Sequence, residues 1–137
     1  MIEVSPLRRL NIHDGPRGRL IAVEGTRDVP FEIARVYYIL PGDGEPRGFH
    51  AHRALEQLMI CVAGSCRIDL DRGAGRVEHR LKCPDEALFV GTMTWREIHD
   101  LSPDAVLLVL ASHHFDEADY IRDYDAFLAE ATIAHGG

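Results

Sequence analysis

Basic charge is in short supply in this sequence. Lysine and arginine number 15 against 22 aspartates and glutamates, leaving a formal net charge of −7 with histidine neutral. Nucleic acid and anionic membrane both demand a basic face, so neither is expected as the main partner. Long apolar runs are missing as well, which excludes a membrane-spanning helix. In Met1–Leu10, Arg8 and Arg9 are followed by no apolar stretch, so no secretion signal is expected. Cysteine is sparse: Cys61, Cys66 and Cys83 cannot all pair with one another, and their spacing matches no zinc pattern. Reduced thiols serving as small core residues in a cytoplasmic protein are the expectation. An acidic chain can still hold a small anion where a few arginines gather in one pocket.

What is present is the composition of one ordinary globular domain spanning residues 1–137, 46% hydrophobic and 27% charged. Short alternating or apolar segments recur between turn residues. Strands are expected at Leu20–Glu24, Ile33–Leu40, Phe49–His52, Glu56–Val62, Cys66–Asp71, Val77–Leu81, Ala87–Val90, Trp95–His99 and Ala105–Ala111. Asp71-Arg72-Gly73-Ala74-Gly75 reads as a hairpin turn, and the unbroken apolar run at Ala105–Ala111 as a central buried strand. From Asp116 the pattern changes. Asp116, Glu117 and Asp119 suit a helix N-terminus, and Tyr120, Tyr124, Phe127 and Leu128 recur at helical spacing as a packing stripe. One C-terminal helix over roughly Asp116–Glu130 is expected, followed by a frayed tail. So many short strands with one terminal helix indicate an all-β sandwich or barrel.

The chemistry-bearing stretch runs from Gly44 to Gly64 and holds His50-Ala51-His52, with Glu56 four residues on. On a strand, residues i and i+2 share a face with Cα atoms roughly 6–7 Å apart, so both imidazoles enter one cavity. Glu56 is close enough in sequence to join them across a local bend. The spacing Gly, five residues, His-x-His, three residues, Glu, then Gly resembles the first motif of the cupin superfamily, a double-stranded β-helix or jelly roll. Many cupins bind a metal on these residues and on a histidine of a second motif. Here Arg96 stands near that second position, and a guanidinium cannot ligate metal and repels a divalent cation. A cavity without metal or other cofactor is expected.

The strings Arg47-Gly48-Phe49-His50-Ala51-His52, Leu55-Glu56-Gln57 and Gly64-Ser65-Cys66 resemble the sugar 3,4-ketoisomerase family. So do Arg17-Gly18-Arg19-Leu20, Arg35-Val36-Tyr37-Tyr38 and Asp119–Asp125. The resemblance runs from about Leu10 to Phe127. Many members have Trp-His-Glu where this chain has Trp95-Arg96-Glu97, which leaves the C4 stereochemistry of the product open. The resemblance implies an isomerase of dTDP-4-keto-6-deoxyglucose, serving deoxysugar biosynthesis, and a homodimer with exchanged N-terminal strands. Histidine, with an unperturbed pKa of about 6.5, suits the proton transfers of such a reaction. His50 is assigned as the carbon base and His52 as the shuttle between oxygens, with the reverse assignment open. Tyr37, Arg17 and Arg96 are the candidates to stabilise enediolate charge. Arg47, Arg35 and Arg122 are the candidates for the diphosphate, and Glu56 for orienting an imidazole. Two rival readings are a metallocupin enzyme on His50, His52 and Glu56, and a non-catalytic nucleotide-sugar binding module. The other histidines read as surface residues: His13, His113, His114, His135 and a solvent-facing His79. For His99, entry into the cavity stays open. Trp95 reads as core.

Overall fold

The computed structural model describes residues 5–136, so the first four positions of the Met1–Leu10 segment and Gly137 of the expected tail lie outside the described residues. Strands β1 (Leu7–Arg9), β2 (Ile12–Gly15), β3 (Gly18–Ile21), β4 (Arg35–Ile39), β5 (Arg47–His52) and β6 (Gln57–Ala63) come first. They are followed by β7 (Cys66–Asp71), β8 (Arg76–Leu81), β9 (Glu86–Val90), β10 (Trp95–His99), β11 (Val106–Ala111), β12 (Tyr120–Ile121) and a single helix, α1 (Tyr124–Ala134). Two five-stranded antiparallel sheets, in the orders β1-β9-β6-β11-β4 and β12-β5-β10-β7-β8, face each other as a jelly roll, and β2-β3 form a separate hairpin.

Period-two alternation builds the core. Met59 and Cys61 of β6 meet Ile68 of β7, Ile98 of β10 and Leu107 and Val109 of β11 between the sheets. The opposite face of the first sheet, with Leu58, Ile60 and Leu110, is covered by Leu10, Val29 and Phe31. Strands β6 and β11 are therefore buried on both faces, which is why their sequences read as apolar runs. Cys61 and Cys66 are buried free thiols in the inner cluster, as expected of small core residues. The turn after β7 is the expected hairpin: Gly73 and Gly75 take φ of +113° and +112°, and the Asp71 carboxylate accepts from the Gly73 amide at 2.7 Å.

The C-terminal segment departs from the expected Asp116–Glu130 helix. Asp116 caps only a 3₁₀ turn, Glu117–Asp119, and a second cap, Asp123, starts α1 by accepting from the Ala126 amide at 2.8 Å. Between the caps, Tyr120 and Ile121 pair with His52 and Ala51 of β5. Two Asx caps seven residues apart break what looked like one periodic helix. Helix α1 continues to Ala134 and packs Phe127 and Ala131 over Ala51, Met93, Trp95 and Ile121 on the outer face of the second sheet. Tyr124 and Leu128 belong to this packing, and Trp95 is core as expected, but Tyr120 is not part of the stripe. The N-terminal strand also differs: the strand expected at Leu20–Glu24 is shifted to Gly18–Ile21, the second arm of a hairpin. His79 corrects another expectation. It stands opposite Ile68 in the β7-β8 ladder, hence on the inner face, and is half-buried rather than solvent-facing.

Candidate active site

A β-bulge aims the first histidine. In the β5-β10 ladder Gly48 opposes Glu97 and His50 opposes Arg96, so Phe49 is the extra residue. Phe49 takes φ +57° and Gly48 takes φ +93°. A Cβ on Gly48 would sit 2.8 Å from the Arg96 carbonyl oxygen, so only glycine lets the two strands approach here. The Gly48 carbonyl in turn lies 3.0 Å from His50 Nδ1. A carbonyl can only accept, so Nδ1 carries the proton and Nε2 of the neutral ring holds the free lone pair.

His50 and His52 share one face, as their spacing required. Their ring centroids are 4.8 Å apart and nearly perpendicular. Tyr120 closes the group, 4.7 Å from His50 and 4.3 Å from His52. His52 is buried, while His50 lines an open cleft of about 290 Å³ between β4 and β5. Tyr37, Arg35, Arg47, Arg96, Phe115 and Tyr120 stand along the same cleft. Larger cavities lie elsewhere, of about 740 Å³ beside His79 and about 590 Å³ beside Pro41–Glu45, but neither gathers these groups.

Arg96 is the electrostatic centre of the site. It is 1% exposed and donates to Gln57 Oε1 and, at 2.9 Å, to the Thr94 carbonyl, while its Nε has no partner. Among the described residues no carboxylate ion-pairs with it, nor with Arg35 or Arg47. Burial pushes its guanidinium down to about 10, which still leaves it charged at neutral pH. Burial, and then the charge of Arg96, hold His50 down to about 4 and His52 to about 2. Both rings are therefore uncharged near neutrality. Arg35 stacks over the Tyr37 ring at 4.9 Å. Burial raises the Tyr37 phenol, so it stays protonated as a donor.

Besides the buried His52, three of the residues picked from the sequence stand outside this cleft. Arg17 lies in the exposed turn between β2 and β3, away from the histidines. Glu56 precedes β6 in the opposite phase to Gln57, and it borders the cavity beside His79 instead. Gln57 occupies the inward place. Arg122 is not on the helix: it forms a two-point pair with Glu117 at 3.0 and 2.9 Å and stacks over Tyr120 at 4.3 Å. His99 points to the outer face, where its Nε2 lies 3.0 Å from Glu97. Sequence reasoning missed Tyr120, Asp119 and Gln57. The Asp119 carboxylate accepts from the Ala54 and Leu55 amides at 2.8 and 3.1 Å. It also stands 3.3 Å from His52 Nδ1, outside hydrogen-bond geometry.

The donor set does not fit a divalent cation. Glu56 is turned away, His50 Nδ1 is committed to a carbonyl, and a guanidinium faces the rings. The one metal-like cluster among the described residues, Asp69, Glu97 and His99, is on the outer face. What the cleft can do is take a proton on an imidazole and stabilise negative charge beside it.

Comparison with known proteins agrees. A curated relative, the TDP-4-oxo-6-deoxy-alpha-D-glucose-3,4-oxoisomerase of Aneurinibacillus thermoaerophilus, is 53% identical over 112 residues, 81% of either chain. The TDP-quinovose 3,4-ketoisomerase WlaRB of Campylobacter jejuni superposes with TM-score 0.86 at 48% identity, covering 90% of this chain and 95% of its own. A mutant 3,4-ketoisomerase, QdtA of Thermoanaerobacterium thermosaccharolyticum, in complex with TDP-4-keto-6-deoxyglucose, gives TM-score 0.89 at 40% identity and covers 93% of each chain. The family model described as WxcM-like, C-terminal, matches residues 3–132, and this chain belongs to that family.

Proposed function

We propose that this protein is a sugar 3,4-ketoisomerase that converts TDP-4-keto-6-deoxyglucose to the TDP-3-keto-6-deoxy sugar in deoxysugar biosynthesis. The observation that carries it is a cleft with three guanidiniums free of carboxylate partners beside two uncharged histidines. In a chain of net charge −7, such a cleft suits a diphosphate and a developing enediolate.

The 4-keto group acidifies the neighbouring C3–H. His50 Nε2, facing the cleft, removes that proton, and the electron pair of the C–H bond becomes the enediolate. Arg96 and the Tyr37 hydroxyl stabilise the charge on the two oxygens. A proton passes from O3 to O4, and protonation at C4 regenerates a carbonyl, now at C3. Atoms balance with no external oxidant. His52 is the second proton carrier behind His50, in edge contact with it. Burial speaks for this order of roles, since His50 borders the cleft and His52 does not. Arg35 and Arg47 hold the diphosphate at the mouth.

We further propose a cytoplasmic homodimer. The sheet-edge strand β4 supports it: Val36 and Tyr38 on it, and Leu40 just after it, are 55%, 65% and 56% exposed. Sedimentation equilibrium tests the dimer.

For the reaction, the test is incubation with TDP-4-keto-6-deoxyglucose in deuterium oxide with chelator present, followed by NMR. Conversion to a 3-keto sugar carrying deuterium at C4 is expected, and the coupling pattern gives the epimer. Binding without conversion or C3 exchange would instead indicate a nucleotide-sugar binding module.

A further inference from the structure

Gln57 opens β6, is 2% exposed, and points inward without lining the cleft. Its side chain lies between two residues that do line it. Arg96 Nη1 donates to Gln57 Oε1, and Gln57 Nε2 is 2.9 Å from the Tyr37 hydroxyl oxygen. The orientation of this amide is forced. A guanidinium has donors only, so the amide oxygen must face Arg96 and the NH2 must face Tyr37. The phenol oxygen is then an acceptor from Gln57, and its own hydrogen must be donated elsewhere. The open side of Tyr37 is the cleft. A hydrogen bond accepted by a phenol oxygen also polarises its O–H and makes it a better donor.

We propose that Gln57 is a positioning residue: it clamps Arg96 and Tyr37 together and turns the Tyr37 hydrogen toward the substrate oxygen. This deepens the ketoisomerase reading above and rests on it. Glutamate at this position would accept from both neighbours. The Tyr37 hydrogen would then turn inward, and the charge of Arg96 would be compensated. Methionine, of similar length, would remove both hydrogen bonds but leave the phenol hydrogen free to face the cleft.

The test is the pair Gln57→Glu and Gln57→Met, assayed with the nucleotide sugar beside the wild type. In Q57E, kcat is expected to fall about 10²-fold, the effect of losing one transition-state donor, with KM within about threefold. In Q57M a smaller fall, of about tenfold, is expected. The groups facing His50 are Arg96 from β10, Tyr120 from β12 and His52 from β5, with Arg122 and Glu117 farther out. Q57E alters only the first of these influences. It should raise the His50 titration, read by NMR and as the acid limb of the rate profile, whereas Q57M should not. Should Q57E fail to fold, Q57M in a Tyr37→Phe background should cost less in kcat than it does in the wild type.

Wild-type kcat in Q57E would overturn the proposal. Equal losses in Q57E and Q57M with an unmoved His50 titration, or full additivity of Q57M with Tyr37→Phe, would overturn it too. If the wild type itself does not turn over this sugar, the functional reading fails, while the His50 titration in Q57E still decides the clamp.

Discussion

Arg96 stands directly opposite His50 in the β5-β10 ladder, a buried guanidinium beside an imidazole on the same face of the sheet. A cation beside a base lowers the proton affinity of that base. It also stabilises the carbanion that the base creates. The same residue thus weakens the base and acidifies its target, and the balance between the two is set by burial rather than by a carboxylate.

The pH dependence follows. The reactive form of His50 is neutral, and its pKa is depressed to about 4. The kcat/KM profile should be flat from pH 8 down to about 5 and fall about tenfold per unit below 4. An acid limb near 6.5 would show that the cleft does not hold the ring neutral. The linkage to stability has the same sign. An unfolded histidine takes its proton near 6.5, so folding stability from this group is complete above about 7 and is lost as pH falls from 6.5 toward 4.

Arg96→Met separates the two effects of the guanidinium. The acid limb should rise above about 4 but stay below 6.5, because burial still depresses the ring, while kcat falls about 10²–10³-fold, as for loss of an oxyanion donor. Thermal stability should change little or rise, because an apolar side chain of similar volume replaces a buried, partly unsatisfied ion. A pH–rate profile and a melting curve on one sample check both.

Gly48→Ala should reduce both stability and turnover. The new Cβ would meet the Arg96 carbonyl at 2.8 Å in a residue with φ +93°. About 1–3 kcal/mol of strain is expected from the dihedral alone. Gly42→Ala is the control, since a Cβ there meets nothing within 4 Å. Denaturant titration of both variants, with kcat measured on each, distinguishes a displaced His50 from a general loss of folding.

Asp123→Ala removes the cap of α1 and should lower stability by about 1 kcal/mol. For a domain of this size that is a fall in Tm of about 4 °C. Turnover per folded molecule should stay unchanged, because α1 packs on the outer face of the sheet. Calorimetry and an assay below the transition test this.

The strand pattern and the paired histidines were legible because both depend on local periodicity. An i, i+2 pair on a strand shares a face wherever the strand lies. The inward place beside the histidines was harder to see. Whether Glu56 or Gln57 faces inward depends on the phase in which β6 begins, and one residue reverses it. Tyr120, Tyr124 and Phe127 fit a 3.6-residue period, which predicts one helix through all three. The pairing with β5 that overrides this period is a tertiary contact across about 70 residues of chain. Arg17 shows the opposite limit: its motif matches a family pattern, but its hairpin lies away from the cleft of its own chain.

Strand β12 is two residues long and sits at the edge of its sheet, yet Tyr120 reaches both imidazoles from it. A short edge strand belongs to the part of a fold that opens at least cost. The dryness of His52 therefore depends on the rim of the sheet rather than on the packed core, and local fraying there would wet the ring while both sheets stay intact.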